Sequence, residues 1–157
     1  MEQKIRIVRK EQITPTHKSE HEPYEYYKYE ITKRTDDFQT YSNIYELPPR
    51  KANYPYHYHL KTEEVYYIIS GEGTLETPDK TIPISTGDVI VCPANESGAH
   101  RIMNTSLTEK LVYFECDTNH SPDISFYPNS QKFGVMVNGK PTLVYKNNTN
   151  VDYYENE

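Results

Sequence analysis

Long apolar runs are missing from this sequence. The longest, such as Val65-Tyr66-Tyr67-Ile68-Ile69, are far short of the roughly 20 residues that a membrane-spanning helix needs. Residues 1–10 contain no apolar segment of the kind a secretory leader carries, so a cytoplasmic protein is expected. Cysteine is scarce: Cys92 and Cys116 are the two. Two thiols cannot build a disulfide framework, and both are expected to be buried and reduced. Positive charge is not in excess. Seventeen Lys and Arg stand against 23 Asp and Glu, a net charge of −6, which disfavours a nucleic-acid partner. Lys4, Arg6, Arg9 and Lys10, set against Glu2 alone, read as a solvated basic arm. Asp152, Glu155 and Glu157 read as an acidic tail without evident chemistry. There is no internal repeat and no long helical period. Six Gly and eleven Pro are neither collagen-like nor low-complexity.

Tyrosine is what the sequence has in quantity. The chain of 157 residues holds 16 of them, and aromatics make up 13%. That argues for a folded core despite a hydrophobic content of 35%, because each ring supplies buried area while its hydroxyl asks for a partner. A chain of this length can bury roughly 70% of its unfolded surface as one domain. Short segments rich in Tyr, Ile, Val and Thr recur at 24–31, 39–47, 54–60, 64–70, 74–77, 81–84, 88–92, 100–103 and 111–115. Turn residues separate them, including Gly71-Glu72-Gly73, Pro78-Asp79-Lys80 and Ser85-Thr86-Gly87. Such punctuation predicts many short strands in an all-β sandwich, jelly roll or barrel. Weaker strand signals lie at 5–8, 133–137 and 142–145. Pro122, Pro128 and Pro141 suggest an irregular wrap from residue 120 onward.

Two stretches carry chemistry. In the first, His57 and His59 are two residues apart, which on a strand puts both imidazoles on one face. Glu63 and Glu64 follow after a short turn and open the next strand, where a carboxylate could meet the two His across an antiparallel pair. The second stretch runs from Gly87 through Pro93 and Gly98 to His100 and Asn104, and offers a third imidazole. Alone, a His-x-His pair is more often structural than functional. Three imidazoles and one carboxylate together suit Mn, Fe, Co, Ni, Cu or Zn.

These residues resemble the two signature motifs of the cupin superfamily. His57-x-His59, four residues, Glu64, six residues and Gly71 match the first motif, and the spacing to Gly71 selects Glu64 over Glu63. Gly87, five residues, Pro93, then His100, three residues and Asn104 match the second. Lys51 stands where the first motif has its leading Gly, and the Pro93-to-His100 loop is two residues longer, with its Gly at Gly98. The resemblance implies an all-β double-stranded β-helix, a jelly-roll barrel. The single domain would comprise N-terminal strands over 1–50, a metal-binding core over about 51–115 and a C-terminal wrap over 116–157. One divalent ion, of unassigned identity, would be held by His57, His59, Glu64 and His100. A small oxygen-rich ligand (carboxylate, carbonyl or sugar-like) would meet it. The protein would be an isomerase, lyase or dioxygenase, or else a non-catalytic binding or sensing module with a structural metal. A homodimer is implied, without nucleic acid or membrane.

With His57, His59 and Glu64 facing inward, Tyr66 and Ile68 should fill the barrel. Tyr56, Tyr58 and Leu60 should then join Val65, Tyr67 and Ile69 on one outward apolar surface, which a second subunit or the chain's own strands would cover. Tyr66 reads first as a barrel-filling aromatic, and second as a hydroxyl near the metal. Asn104 is expected to tie a turn through its amide, Arg101 to point away from the metal, and His17, His21 and His120 to be solvated. Glu63, Glu115 and several Tyr are available for acid–base work, but none can be singled out. Arg50, Lys51 and Lys61 are the basic residues in or beside the motifs, which ranks a phosphorylated sugar below a carboxylate or carbonyl ligand.

Overall fold

The structure, a computed structural model, describes residues 4–35 and 38–155; Glu2 of the basic arm and Glu157 of the acidic tail lie outside them. Thirteen strands follow in chain order: β1 (Thr16–His21), β2 (Tyr24–Glu30), β3 (Thr40–Leu47), β4 (Tyr58–His59), β5 (Glu64–Ser70), β6 (Glu72–Glu76), β7 (Thr81–Ser85), β8 (Val89–Cys92), β9 (Arg101–Asn104), β10 (Leu111–Thr118), β11 (Asp123–Tyr127), β12 (Lys132–Val137) and β13 (Lys140–Lys146). Short 3-10 turns are the helical elements among the described residues, and no helix is long and apolar enough to cross a membrane. The strands form a six-stranded sheet in the order β1-β2-β3-β10-β5-β8, a four-stranded sheet β13-β12-β11-β4 and a three-stranded sheet β7-β6-β9.

Alternation fixes which residues face inward. In β5, Glu64, Tyr66 and Ile68 are buried while Val65, Tyr67 and Ile69 are exposed. β10 buries Leu111, Tyr113, Glu115 and Asp117 and turns Val112, Phe114 and Cys116 the other way. Tyr26, Tyr45, Tyr66 and Tyr113 pack with Leu47, Ile68, Ile102 and Leu111 in the core. Their hydroxyls are paired rather than stranded: Tyr45 meets the Tyr54 hydroxyl at 3.0 Å, and the Asn53 amide donates to the Tyr113 hydroxyl at 3.0 Å. Two motif glycines sit where no side chain fits. A Cβ on Gly71, at φ +89°, would lie 2.4 Å from the Lys110 carbonyl oxygen, and one on Gly98 would lie 1.9 Å from that of Pro93.

Several expectations need correction. Residues 5–8 are not a strand, and Ile5 and Ile7 are exposed. The sheet edge beyond β2 is taken instead by β1, a wholly exposed polar segment recruited by backbone pairing and not by apolar content. The strand read at 54–60 shrinks to Tyr58–His59, because the segment passes between sheets. His57 bridges His100, whereas His59 pairs with Ser125. Glu64 therefore does not meet the histidines across a strand pair, since β5 lies between β10 and β8. The irregular C-terminal wrap is a three-stranded meander; Pro128 opens a 3-10 turn, and Pro141 stands on the edge strand β13 beside a register shift. The single outward apolar surface is divided. Tyr58 stacks on Phe126, ring centroids 4.8 Å apart, in a different sheet from β5. Both cysteines are free thiols, but only Cys92 is buried and Cys116 is half-buried.

Candidate metal centre

His57 and His59 arrive on the segment that crosses from one sheet to another, Glu64 on the first position of β5, and His100 just before β9. All four side chains are buried. Glu64 is the hub. Its Oε1 lies 3.9 Å from His57 Nε2 and 3.8 Å from His59 Nε2, and its Oε2 lies 3.5 Å from His100 Nε2.

The opposite nitrogen of each ring is already committed. His57 Nδ1 lies 2.9 Å from the Pro55 carbonyl oxygen, His100 Nδ1 2.9 Å from that of Gly98, and His59 Nδ1 2.9 Å from Asp123 Oδ2. A carbonyl or carboxylate oxygen only accepts, so each Nδ1 carries the proton and each Nε2 keeps its lone pair. Three lone pairs thus converge on one carboxylate, and the donor set fits a divalent transition ion. His57, His59 and Glu64 offer ligand atoms all within 4.8 Å of one another. His100 is engaged elsewhere as well, its Nε2 lying 2.9 Å from the Tyr66 hydroxyl. Tyr66 is therefore more than a barrel-filling ring.

The electrostatics agree with neutral ligands around a carboxylate. Burial pushes the His57 imidazole down to about 3, with His100 and His59 adding to the effect. Burial alone would raise the Glu64 carboxyl, but the surrounding imidazoles of His100, His57 and His59 outweigh it and hold it below its usual value.

Asp123 is the residue that sequence reasoning missed. Burial works against its charge, yet the hydrogen bonds from His59 and Thr62 hold its carboxyl well below the usual range. It accepts from the Thr62 hydroxyl at 2.7 Å and from the backbone N–H groups of Lys61 at 3.0 Å and Ile124 at 2.8 Å. Ser125 adds a hydroxyl 3.1 Å from His59 Nδ1. Both come from β11, in the region read as a wrap, where no local pattern marked them.

The site opens into a cavity of about 190 Å³. Lys28 and Arg34 from the N-terminal strands, Glu115 and Asp117 from β10, and His120 at an exposed position also line it. Glu115 is one of the acid–base candidates named from the sequence, whereas Asp117 lies beyond the strand expected at 111–115; both share the inward phase of Leu111 and Tyr113 in β10. Burial and the charge of Glu64 push the Glu115 carboxyl up to about 7. Burial, Glu115 and Glu64 likewise raise Asp117 despite its pairing with Arg34. Arg101 and Asn104 stay out of the site as expected, whereas His120, read as solvated, lines its cavity. Arg101 pairs with Glu76 at 2.7 Å. The Asn104 amide donates to the carbonyls of Leu47, Pro48 and Glu109 at 2.8–3.0 Å and ties the neighbouring turns. Glu63 is exposed, and Lys51 is engaged with Glu22 and Glu25 away from the cavity.

Comparison with known proteins bears on this arrangement directly. The family profile described as "Cupin domain" matches residues 43–115, which hold Glu64 and the three histidines around it. The chain carries a cupin domain. This cupin is 39% identical over 64 residues to a protein of Thermotoga maritima named "Oxalate-binding protein", a match covering 41% of this chain and 50% of that one. The chain thus spans half the length of that relative. Among solved structures, a sugar phosphate isomerase from a cupin superfamily of Silicibacter pomeroyi superposes with a TM-score of 0.79 at 14% identity, covering 96% of this chain and 98% of that one. A protein of Thermotoga maritima described as a predicted oxalate decarboxylase gives a TM-score of 0.62 at 27% identity, over 73% of this chain and all (100%) of that one. The fold of this cupin is the double-stranded β-helix of these relatives.

Proposed function

We propose that this cupin holds one divalent transition metal on His57, His59, Glu64 and His100, and binds a small oxygen-rich molecule at it. One observation carries the reading: three imidazoles, each with its Nδ1 proton spoken for, turn their Nε2 lone pairs toward a single buried carboxylate. A divalent ion there would supply a Lewis-acid centre with positions open to a carbonyl, hydroxyl or carboxylate oxygen. The protein's own residues would fix the ligand set, exclude bulk water and line the cavity with polar groups for the rest of the molecule. The relative named for oxalate binding supports small-molecule binding at such a site.

A homodimer belongs to the same reading. Tyr29, Ile44, Phe114, Tyr67 and Val89 are successive cross-strand neighbours over five strands of the large sheet. Tyr67 is 46% and Val89 63% exposed. An apolar row of this length facing outward suits a self-complementary contact.

The test is elemental analysis of the purified full chain after dialysis against a mixture of Mn, Fe, Co, Ni, Cu and Zn salts. One equivalent of metal per chain, lost in His59→Ala, is expected. A wild-type chain that retains none, or a His59→Ala variant that retains the full equivalent, would refute the ligand set.

A further inference from the structure

The cavity wall beside the histidines carries both signs of charge. β10 turns Glu115 and Asp117 inward next to Glu64, and one carboxylate oxygen of each falls within 4.8 Å of the others. Arg34 enters from the connection between β2 and β3, its Nη2 2.8 Å from Asp117 Oδ2 and its guanidinium 4.3 Å from the centre of the Tyr41 ring. Lys28 donates to the Tyr41 hydroxyl at 2.8 Å. The Asp117 side chain is 2% exposed, and its Oδ1 has no hydrogen-bond partner among the described residues. Behind the wall, the Asn43 amide nitrogen donates to Glu115 at 2.6 Å.

The unmet atom at this wall, Asp117 Oδ1, is an acceptor, and a buried acceptor calls for a donor. An oxalate-type dianion brings none. It carries acceptor oxygens only and would leave Asp117 Oδ1 unmet. A hydroxyl group answers both halves of the wall, since it donates to a carboxylate and accepts from a guanidinium. The Asp117–Arg34 pair sets acceptor and donor side by side at 2.8 Å, a spacing that suits one hydroxyl or two neighbouring ones. The volume of about 190 Å³ admits a small molecule and no polymer.

We propose that the cavity selects a polyhydroxylated carbonyl compound, an aldose or ketose, over a dicarboxylate, with Asp117 and Arg34 reading its hydroxyls while its carbonyl faces His57, His59 and Glu64. The proposal rests on the metal-site reading above, and it departs from the ligand in the name of the Thermotoga maritima relative.

Zinc-loaded full chain is titrated with a panel of three- to six-carbon aldoses and ketoses and with oxalate, using ligand-observed NMR, with metal content measured on the same samples. At least one sugar is expected to bind ten times more tightly than oxalate. Asp117→Asn and Arg34→Met are each expected to weaken that sugar at least tenfold with metal content unchanged. Oxalate outcompeting every sugar, no sugar binding, or sugar binding unchanged in both variants would overturn the proposal. The wild-type competition decides even where Asp117→Asn fails to fold. Loss of metal from the wild type would defeat the metal reading alone, because the same competition on the metal-free chain still reads the preference of the Asp117–Arg34 wall.

Discussion

The Tyr66 hydroxyl lies 2.9 Å from His100 Nε2, on the lone pair that His100 would offer to a metal. His100 Nδ1 gives its proton to the Gly98 carbonyl, so Nε2 accepts and the phenol donates. Metal and phenol therefore compete for one nitrogen. Removing the hydroxyl by Tyr66→Phe keeps the ring that packs on Tyr113. It deletes a neutral hydrogen bond with a net contribution of about 1 kcal/mol. Zinc affinity, measured by chelator competition, should rise roughly two- to tenfold. Equal or weaker binding would show that the phenol does not compete.

Asp123 acts on the site from the other side. It sets the tautomer of His59 and pins the chain at Lys61 and Thr62. Groups that orient a metal-binding histidine typically cost about 10–100-fold in metal affinity when lost. Asp123→Ala should show that loss in a zinc competition titration, together with a lower melting temperature from the unpaired donors. Unaltered affinity would remove Asp123 from the centre.

Glu115 gives the metal-free protein an unusual acid–base limb. Burial and Glu64 raise its carboxyl from 4.5 to about 7 in the fold; Asp117, Arg34 and Lys28 are its other charged neighbours in the cavity wall. Between those values the folded chain holds a proton that the unfolded chain has released, so stability falls as pH rises from 4.5 through about 7 and is level above. His57 works in the opposite sense: burial lowers it from 6.5 to about 3, so its contribution is present above 6.5 and is lost as pH falls through that window. Glu115→Gln removes the first limb only. Relative to wild type it should gain stability between pH 5.5 and pH 8, with a ceiling of about 2 kcal/mol, since each tenfold change in proton affinity is worth about 1.4 kcal/mol and the wild-type loss is complete near pH 7. Parallel chemical denaturation at the two pH values reads the difference, and equal changes in both proteins would contradict the raised carboxyl.

The apolar row across the large sheet predicts association. Sedimentation at micromolar protein should report twice the 18.5 kDa chain mass, with an interface above about 1,000 Å². Tyr67→Lys with Val89→Lys places charge on the two exposed positions of the row and should give a monomer with an unchanged circular dichroism spectrum. A monomeric wild type, or a dimeric double variant, would locate the contact elsewhere or abolish it.

Much of the core region could be read from residues alone, because each inward position in β5 and β10 repeats with period two and the ligand offsets are local. The limits of that reading are physical. β1 is polar throughout and exists through pairing with β2, so no apolar alternation marks it. The segment from Tyr54 to His59 has strand composition, but it divides its partners between two sheets and pairs for two residues only. Lys28 and Arg34 sit outside both motifs, and only the closing of the sheets brings them to the cavity. That is why the wall's positive charge could not be weighed from Arg50, Lys51 and Lys61.

The carboxylate that holds His59 comes from a residue 64 positions further along the chain, and this distance sets an order of events during synthesis. A nascent chain that has exposed both histidine motifs has all four proposed ligands, yet His59 Nδ1 lacks its carboxylate partner until Asp123 has emerged and β11 has paired with β4. Translation through the C-terminal meander is therefore the step at which the site acquires its final geometry. Metal captured earlier would meet a looser set of donors, and chains cut short before β11 would be released with their binding motifs complete and their centre unformed.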